Sequence, residues 1–273
     1  MPALSPMLAK VYDASKATFP LFASPKLDGM RAIITRTPSG TTATTREGNP
    51  IESVPHILEA FAGLPCGVYD GELMHPAGFQ TTAGICRRSA VNLHPDRQGV
   101  AFHAFDLLSL EDWEHPTAPA ARRFEALGRC LDQAPDALRL VEHHLVRSED
   151  QLAEMHYQNT RAGFEGTMVQ LDRPYEHRRS QTIMKIKDFT SSEARVLEVE
   201  PGAGQFEGMM GRLVCQSTSG QIFRLGTGFE TQDRAQAPTH WIGRLVEFKH
   251  QGQTDSGVPR FPVFLRMRAD LEL

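Results

Sequence analysis

Short stretches that alternate apolar and polar positions run through most of the chain. Period-two stretches at residues 31–36, 41–46, 68–74, 100–108, 139–146 and 167–171 predict strands, because successive side chains on an extended backbone point to opposite faces. Three stretches between them follow helical spacing instead. Residues 148–163 open with Ser148 and Gln151 at capping-box spacing, carry Leu152, Met155 and Asn159 on one face, and meet a stop signal at Gly163. A second helix is expected to begin near residues 117–119 and to carry Arg123, Leu127 and Leu131, and a short third to cover residues 55–61. Strands mixed with helices over the first two thirds predict an α+β domain with antiparallel sheets and flanking helices.

From about residue 190 the texture changes. Short alternating segments at 194–200, 211–216, 221–225, 243–249 and 262–267, separated by glycine-rich turns, predict a small β-barrel of the OB type. The expected division is therefore one domain over residues 1–189 and a second over 190–273.

Composition narrows the class. A chain of 273 residues with 40% apolar residues can bury a sizeable core. It holds no apolar run near the ~20 residues that span a bilayer, and its first ten residues lack the apolar stretch of an export signal, so an intracellular protein that does not enter membranes is expected. Cys66, Cys86, Cys130 and Cys215 are too far apart in sequence for a metal or redox motif and read as reduced structural thiols. His143 and His144 read as surface or packing residues. The net charge of −4 opposes a nucleic-acid partner, yet residues 161–273 hold 15 basic against 14 acidic residues while residues 1–160 hold 14 against 19.

The candidate chemistry begins at Ser24-Pro25-Lys26-Leu27-Asp28-Gly29-Met30-Arg31, which sets one lysine beside an acid, a glycine and an arginine where one strand ends and another begins. An amine there can serve as a nucleophile facing a phosphate, provided that nearby charge helps it shed its proton. Downstream follow Thr45-Arg46-Glu47-Gly48, Asp70-Gly71-Glu72-Leu73, Phe102 to Leu108, Glu165-Gly166-Thr167-Met168 and Lys185-Ile186-Lys187. Alternation puts Lys185 and Lys187 on one strand face with Ile186 turned inward, and two ammonium groups side by side favour an anion between them. Glu72 and Glu165 are hard oxygen donors of the kind Mg²⁺ takes, each next to a glycine that is expected to let the backbone approach a ligand. Phe105 offers an aromatic face, and Arg31 and Arg46 offer planar donors for phosphate or ribose oxygens.

In order and spacing these motifs resemble those of the nucleotidyltransferases that work through a lysine–nucleotide adduct, most closely the small ATP-dependent DNA ligases. The resemblance covers nearly the whole chain. It implies an ATP-grasp-like adenylyltransferase domain followed by an OB-fold domain, with Lys26 carrying AMP from ATP, a Mg²⁺ or Mn²⁺ ion, and nicked duplex DNA as the partner of a monomer. It further implies that Phe105 and Met168 take the two faces of adenine, that Glu72 meets the ribose or metal, that Glu165 assists the metal, and that Lys185 and Lys187 hold the phosphates. Arg31 and Arg46 would reach ribose or phosphate oxygens, including the 5′-phosphate of DNA. At the carboxyl end, Arg266, Met267, Arg268, Ala269, Asp270 and Leu271 are similar to a final Arg-x-Asp-Lys motif that orients the pyrophosphate. Leu271 stands where that motif has lysine, which implies a slower unaided first step unless Arg266 and Arg268 compensate. The remaining alternatives are a messenger-RNA capping guanylyltransferase, an RNA ligase, and a catalytically weak nick-binding accessory protein.

Overall fold

The computed structural model describes residues 4–188, 190–250, 252–254 and 256–268. The chain divides into two compact units between Ile186 and Lys187. The strands of the larger unit are β1 (Leu8–Val11), β2 (Leu21–Lys26), β3 (Met30–Thr37), β4 (Gly40–Thr45), β5 (Gly67–Met74), β6 (Ala101–Leu108), β7 (Leu138–Leu140), β8 (His144–Val146), β9 (Gly166–Gln170) and β10 (Arg179–Ile186). They form two five-stranded sheets, ordered β1-β10-β9-β2-β8 and β4-β3-β5-β6-β7. Pairing is antiparallel except for β1 with β10 and β6 with β7.

The expected strand over residues 139–146 is not continuous. It splits into β7 and β8, which belong to different sheets. Val141 N still donates to Ala104 O at 2.8 Å, after which the chain leaves the second sheet and pairs Leu145 with Phe22 in the first. Alternation survives such a crossing, so sequence pattern alone reads it as one strand.

Strand alternation explains how the second sheet packs. Ala32, Ile34, Tyr69, Leu73, Phe102 and Ala104 face a core that Val54, Ile57, Phe61, Leu127 and Leu131 close from the helical side. Gly71 is required there, because a Cβ would lie 2.5 Å from both the Phe102 ring and the His103 carbonyl oxygen. The glycine serves packing between β5 and β6; Glu72 sits within the strand rather than at its end. The helix Ala120–Leu131 buries Ala120, Arg123, Leu127 and Leu131. Arg123 is the unexpected member of that face. Its Nε and Nη2 donate to the two carboxylate oxygens of Asp106 at 2.8 and 3.0 Å, and its Nη1 donates to Ala118 O at 2.6 Å. Both side chains are nearly inaccessible.

The helix Glu149–Arg161 starts and stops as expected, with Ser148 Oγ accepting from Gln151 N at 3.3 Å and Gly163 at φ +88° beyond its end. The sequence pattern missed β1 and the helices Phe79–Cys86 and Leu110–Glu114, which are short and carry weak periodicity.

In the smaller unit, β11 (Thr190–Pro201), β12 (Met210–Ser217), β13 (Ile222–Leu225), β14 (Leu245–His250) and β15 (Val263–Met267) form one antiparallel sheet ordered β13-β12-β11-β14-β15. The edges meet through a parallel bridge between Thr227, just past β13, and Val263, with Phe264 N donating to Thr227 O at 2.9 Å. Leu213, Phe223, Trp241, Val246, Phe248 and Phe264 fill the interior. Arg234 is buried and donates to the carbonyls of Met210, Gly211 and Gly226, tying the start of β12 to the turn after β13.

Truncating one partner of a buried ion pair leaves an uncompensated charge. Arg123→Ala is therefore expected to lower the unfolding free energy of the larger unit by about 3–5 kcal/mol. Urea denaturation followed by far-UV circular dichroism measures this, and a change below 1 kcal/mol would refute the anchoring role.

Candidate active site

One cleft runs between the two sheets of the larger unit. Its walls include Ser24, Lys26, Met168, Gln170, Arg179 and Lys185 from the first sheet and Arg31, Glu72 and Phe105 from the second. Arg46, Val141 and His143 complete the rim. Seven of the side chains singled out from sequence thus line a single space: Lys26, Arg31, Arg46, Glu72, Phe105, Met168 and Lys185.

Backbone pairing sets the position of the lysine. Lys26 lies opposite Gly166 and Ser24 opposite Met168, while Glu165 N donates to Lys26 O at 3.0 Å. This brings Glu165 Oε2 to 2.5 Å from Lys26 Nζ, and Nζ also donates to Leu27 O at 3.3 Å. Lys185 is the ladder partner of Met168 on the other side of β9. Gly29 permits the turn that follows the lysine, since a Cβ there would lie 2.5 Å from Leu73 O.

Arg31 and Glu72 are opposite residues of β3 and β5 and so share a face. The Arg31 guanidinium is held by Asp70, with Nε to Oδ1 at 2.6 Å and Nη2 to Oδ2 at 2.5 Å, and Nη2 also donates to Met7 O at 3.0 Å. It sits 5.1 Å from the Phe105 ring centroid, a cation–π contact. Asp70 is fully buried and accepts a third hydrogen bond from Tyr175 Oη at 2.7 Å. On β6, Phe105 faces the cleft while Asp106, its neighbour, points the other way to hold Arg123.

Glu72 is the electrostatically unusual group. Its Oε2 is enclosed without a hydrogen-bond partner. Burial pushes the carboxyl up to about 7, opposed by the cations Arg31 and Lys26 and reinforced by the carboxylates Asp70 and Glu165. His143 is the group that composition assigned to surface or packing. It does pack, stacked on Phe124 at 3.6 Å between centroids, but it also lines the cleft. Burial, with smaller contributions from His144 and Arg123, pushes its pKa down to about 3, so the ring is neutral at physiological pH.

The remaining predicted residues sit at the exposed rim of the cleft or in the smaller unit. Arg46 is largely exposed and pairs with Glu47. The strand carrying Lys185 ends at Ile186, so Lys187 falls one residue beyond it, at the start of the smaller unit. Within that unit, Arg266 pairs with Glu247 at 2.7 Å, and Arg268 pairs with Glu193 at 2.8 Å. Asp270 and Leu271 lie outside the described residues. Sequence reasoning missed Gln170, Arg179 and the Asp70–Tyr175 anchor. Gln170 was within reach, since it follows Met168 by two on the same strand face.

The family model of the ATP dependent DNA ligase domain matches residues 6–187, and that of the DNA ligase OB-like domain matches residues 201–268. The chain belongs to the ATP-dependent DNA ligase family. It is therefore an enzyme that forms phosphodiester bonds, built from an adenylation domain and an OB-fold domain. It is similar to the DNA ligase of Haemophilus influenzae, with 28% identity over 255 residues, covering 89% of this chain and 85% of that one. A probable DNA ligase of Rhodococcus jostii is 32% identical over 203 residues, 69% of this chain but 38% of the relative. Among solved structures, a Lig E DNA ligase aligns with a TM-score of 0.83 and 32% identity over 97% of this ligase and 99% of that chain. A bacteriophage T7 ATP-dependent DNA ligase in complex with ATP shares the fold, with a TM-score of 0.58 and 16% identity over 97% and 99% of the two chains. Among the described residues, no helix of this ligase is long and apolar enough to cross a membrane.

The raised pKa of Glu72 has a stability consequence. Between the ordinary value of 4.5 and about 7, the folded protein keeps a proton that the unfolded chain has lost. Stability contributed at this position is therefore present below that window and falls as pH rises through it. Glu72→Gln is expected to abolish this fall and to make the nucleotide-free protein more stable than wild type at pH 8 by ~1–3 kcal/mol. Denaturant melts at pH 5 and pH 8 check this, and identical pH dependence in the two proteins would sink it.

Proposed function

We propose that Lys26 is the nucleophile of this ATP-dependent DNA ligase and that the cleft between the sheets of the larger unit holds the nucleotide. The observation that carries the reading is the convergence of Lys26, Glu72, Phe105, Met168 and Lys185 on one space, with the Lys26 amine 2.5 Å from the Glu165 carboxylate. In the first step, Nζ attacks the α-phosphorus of ATP, an N–P bond forms, and the bond to pyrophosphate breaks. The amine must lose its proton to attack, and Glu165 Oε2 is the acceptor in place for it. AMP then passes to the 5′-phosphate of a nick, and the 3′-hydroxyl displaces it to seal the strand.

The other groups bind and orient. Met168 and Phe105 lie on facing walls of the cleft and take the two faces of adenine. Lys185 supplies positive charge beside the phosphates, with Lys187 as its second cation. Two of the three Arg31 nitrogens are committed to Asp70 and Met7, so Arg31 contributes mainly a fixed field and a rigid wall, with less freedom to grip a phosphate than the exposed Arg46. Arg266 and Arg268 are assigned to the pyrophosphate. The working division is residues 1–189 for adenylation and 190–273 for the OB fold, acting as a monomer on nicked duplex DNA.

The donor set also fits a divalent cation. Glu165 is close enough for its charge to be felt at Glu72, and Glu72 Oε2 lacks a partner, which suits the one or two carboxylates that Mg²⁺ takes alongside phosphate oxygens. A bound Mg²⁺ or Mn²⁺ would neutralise charge on those oxygens.

Incubation with Mg²⁺ and ATP is expected to add the mass of one AMP to the wild-type chain as a phosphoramidate that survives denaturation and alkali and is released by acid, and to add nothing to Lys26→Ala. Glu165→Gln should label at least ~100-fold more slowly. A GMP adduct formed from GTP in preference to AMP would point to a guanylyltransferase. Labelling of Lys26→Ala at the wild-type rate would rule out this nucleophile.

A further inference from the structure

The far end of the cleft holds a polar group that the assigned chemistry does not use. Gln170 is 5% exposed, lines the cleft, and its Nε2 is enclosed without a hydrogen-bond partner. An enclosed amide donor without an acceptor costs free energy that an arriving acceptor would return. Register places it relative to the nucleophile. Lys26, Ser24 and Phe22 pair in turn with Gly166, Met168 and Gln170. Gln170 therefore lies four residues, about 13 Å, along β9 from the level of the lysine, with Met168 between them on the same face. A nucleotide tethered by its α-phosphate at Lys26 and lying against Met168 points its base edge at this amide.

We propose that Gln170 reads the base edge and selects adenine. The inference rests on Lys26 being the site of AMP attachment. A primary amide presents a donor and an acceptor side by side. Adenine presents a ring nitrogen that accepts next to the N6 amine that donates, on both its N1 and its N7 side, which is why Gln and Asn pair with it through two hydrogen bonds. Nε2–H donates to N1 or N7, and Oε1 accepts from N6. A purine without the 6-amino group leaves Oε1 unanswered, and one without the ring nitrogen leaves Nε2 as it stands now. Nothing covalent is involved. Gln170 sets which base the lysine receives, whereas Met168 and Phe105 would accept any purine face.

The test measures kcat/KM for AMP-type labelling of Lys26 with ATP and with purine riboside triphosphate, which lacks the 6-amino group. Wild type is expected to prefer ATP by about tenfold or more, and Gln170→Ala and the near-isosteric Gln170→Met, which carries no amide, should bring the ratio close to one. Wild type alone supplies an independent check: 1-deaza-ATP or 7-deaza-ATP should label about tenfold more slowly than ATP. A purely structural Gln170 would slow all nucleotides alike and leave the ratio intact, which would overturn base reading while leaving Lys26 in place. Full labelling of wild type with both deaza analogues would overturn it as well. Absence of label from every nucleotide in wild type would instead remove the Lys26 assignment and this inference with it.

Discussion

A single buried carboxylate, Asp70, holds the cleft in shape. It accepts from Arg31 through two nitrogens and from Tyr175 through its hydroxyl, and Tyr175 Oη in turn accepts from Met7 N at 2.8 Å. These partners come from different places: β3, the segment between β9 and β10, and the chain just before β1. One side chain of the second sheet therefore ties down the starts of both strands of the parallel β1–β10 pair of the first. Around it Met7, Leu108, Tyr175 and Ile183 form a small apolar cluster that keeps water from the network. In such surroundings a charge is tolerable only while all its partners are in place, so the separation of the sheets is set by hydrogen-bond geometry as well as by packing.

The acidic motifs divide their work by strand face. Asp106 points away from the cleft and locks Arg123, and with it the helix Ala120–Leu131, while Phe105 beside it lines the cleft. Asp70 and Glu72 are two apart on β5, yet Asp70 has three hydrogen bonds from side chains and Glu72 has an oxygen with none. The register of β5 against β6 shifts between Asp70 and Gly71, and Gly71 lets β6 come close at that point. A satisfied carboxylate stabilises the fold, and an unsatisfied one two residues on is held available for a ligand. The second state is sustained by the rigidity that the first supplies.

Much of this was legible in the sequence because the chemistry sits on strands. Motif chemistry and strand alternation singled out Lys26, Glu72, Phe105 and Lys185 before their distances were known, and the resemblance in motif order added Met168. The parts that were not legible depend on tertiary partners. Arg123 looked like one more residue on a helix face, and nothing local showed that Asp106 would neutralise it. The split of residues 139–146 between sheets was hidden because the alternation continues across the crossing. That crossing brings His143 to the cleft, where its role is to stack on Phe124 as a neutral ring rather than to meet solvent. Gly71 was read as a sign of ligand approach, whereas it is needed, as Gly29 is, because neighbouring strands leave no room for a Cβ.

The arginines separate into two populations, which bears on how an acidic chain can handle anions. Arg31, Arg123 and Arg234 are committed to buried carboxylates or carbonyls, and extracting them would leave those groups unpaired. Arg224 and Arg266 are largely exposed and pair with Glu200 and Glu247 on the surface of the smaller unit. Exposed pairs of this kind contribute only about 0–1 kcal/mol. Their arginines can exchange a glutamate for a phosphate at little cost, while the paired state suppresses the open positive field that would draw in anions indiscriminately. A net charge of −4 is then compatible with a phosphate-binding surface, because what matters locally is how weakly each cation is held and not the sum over the chain.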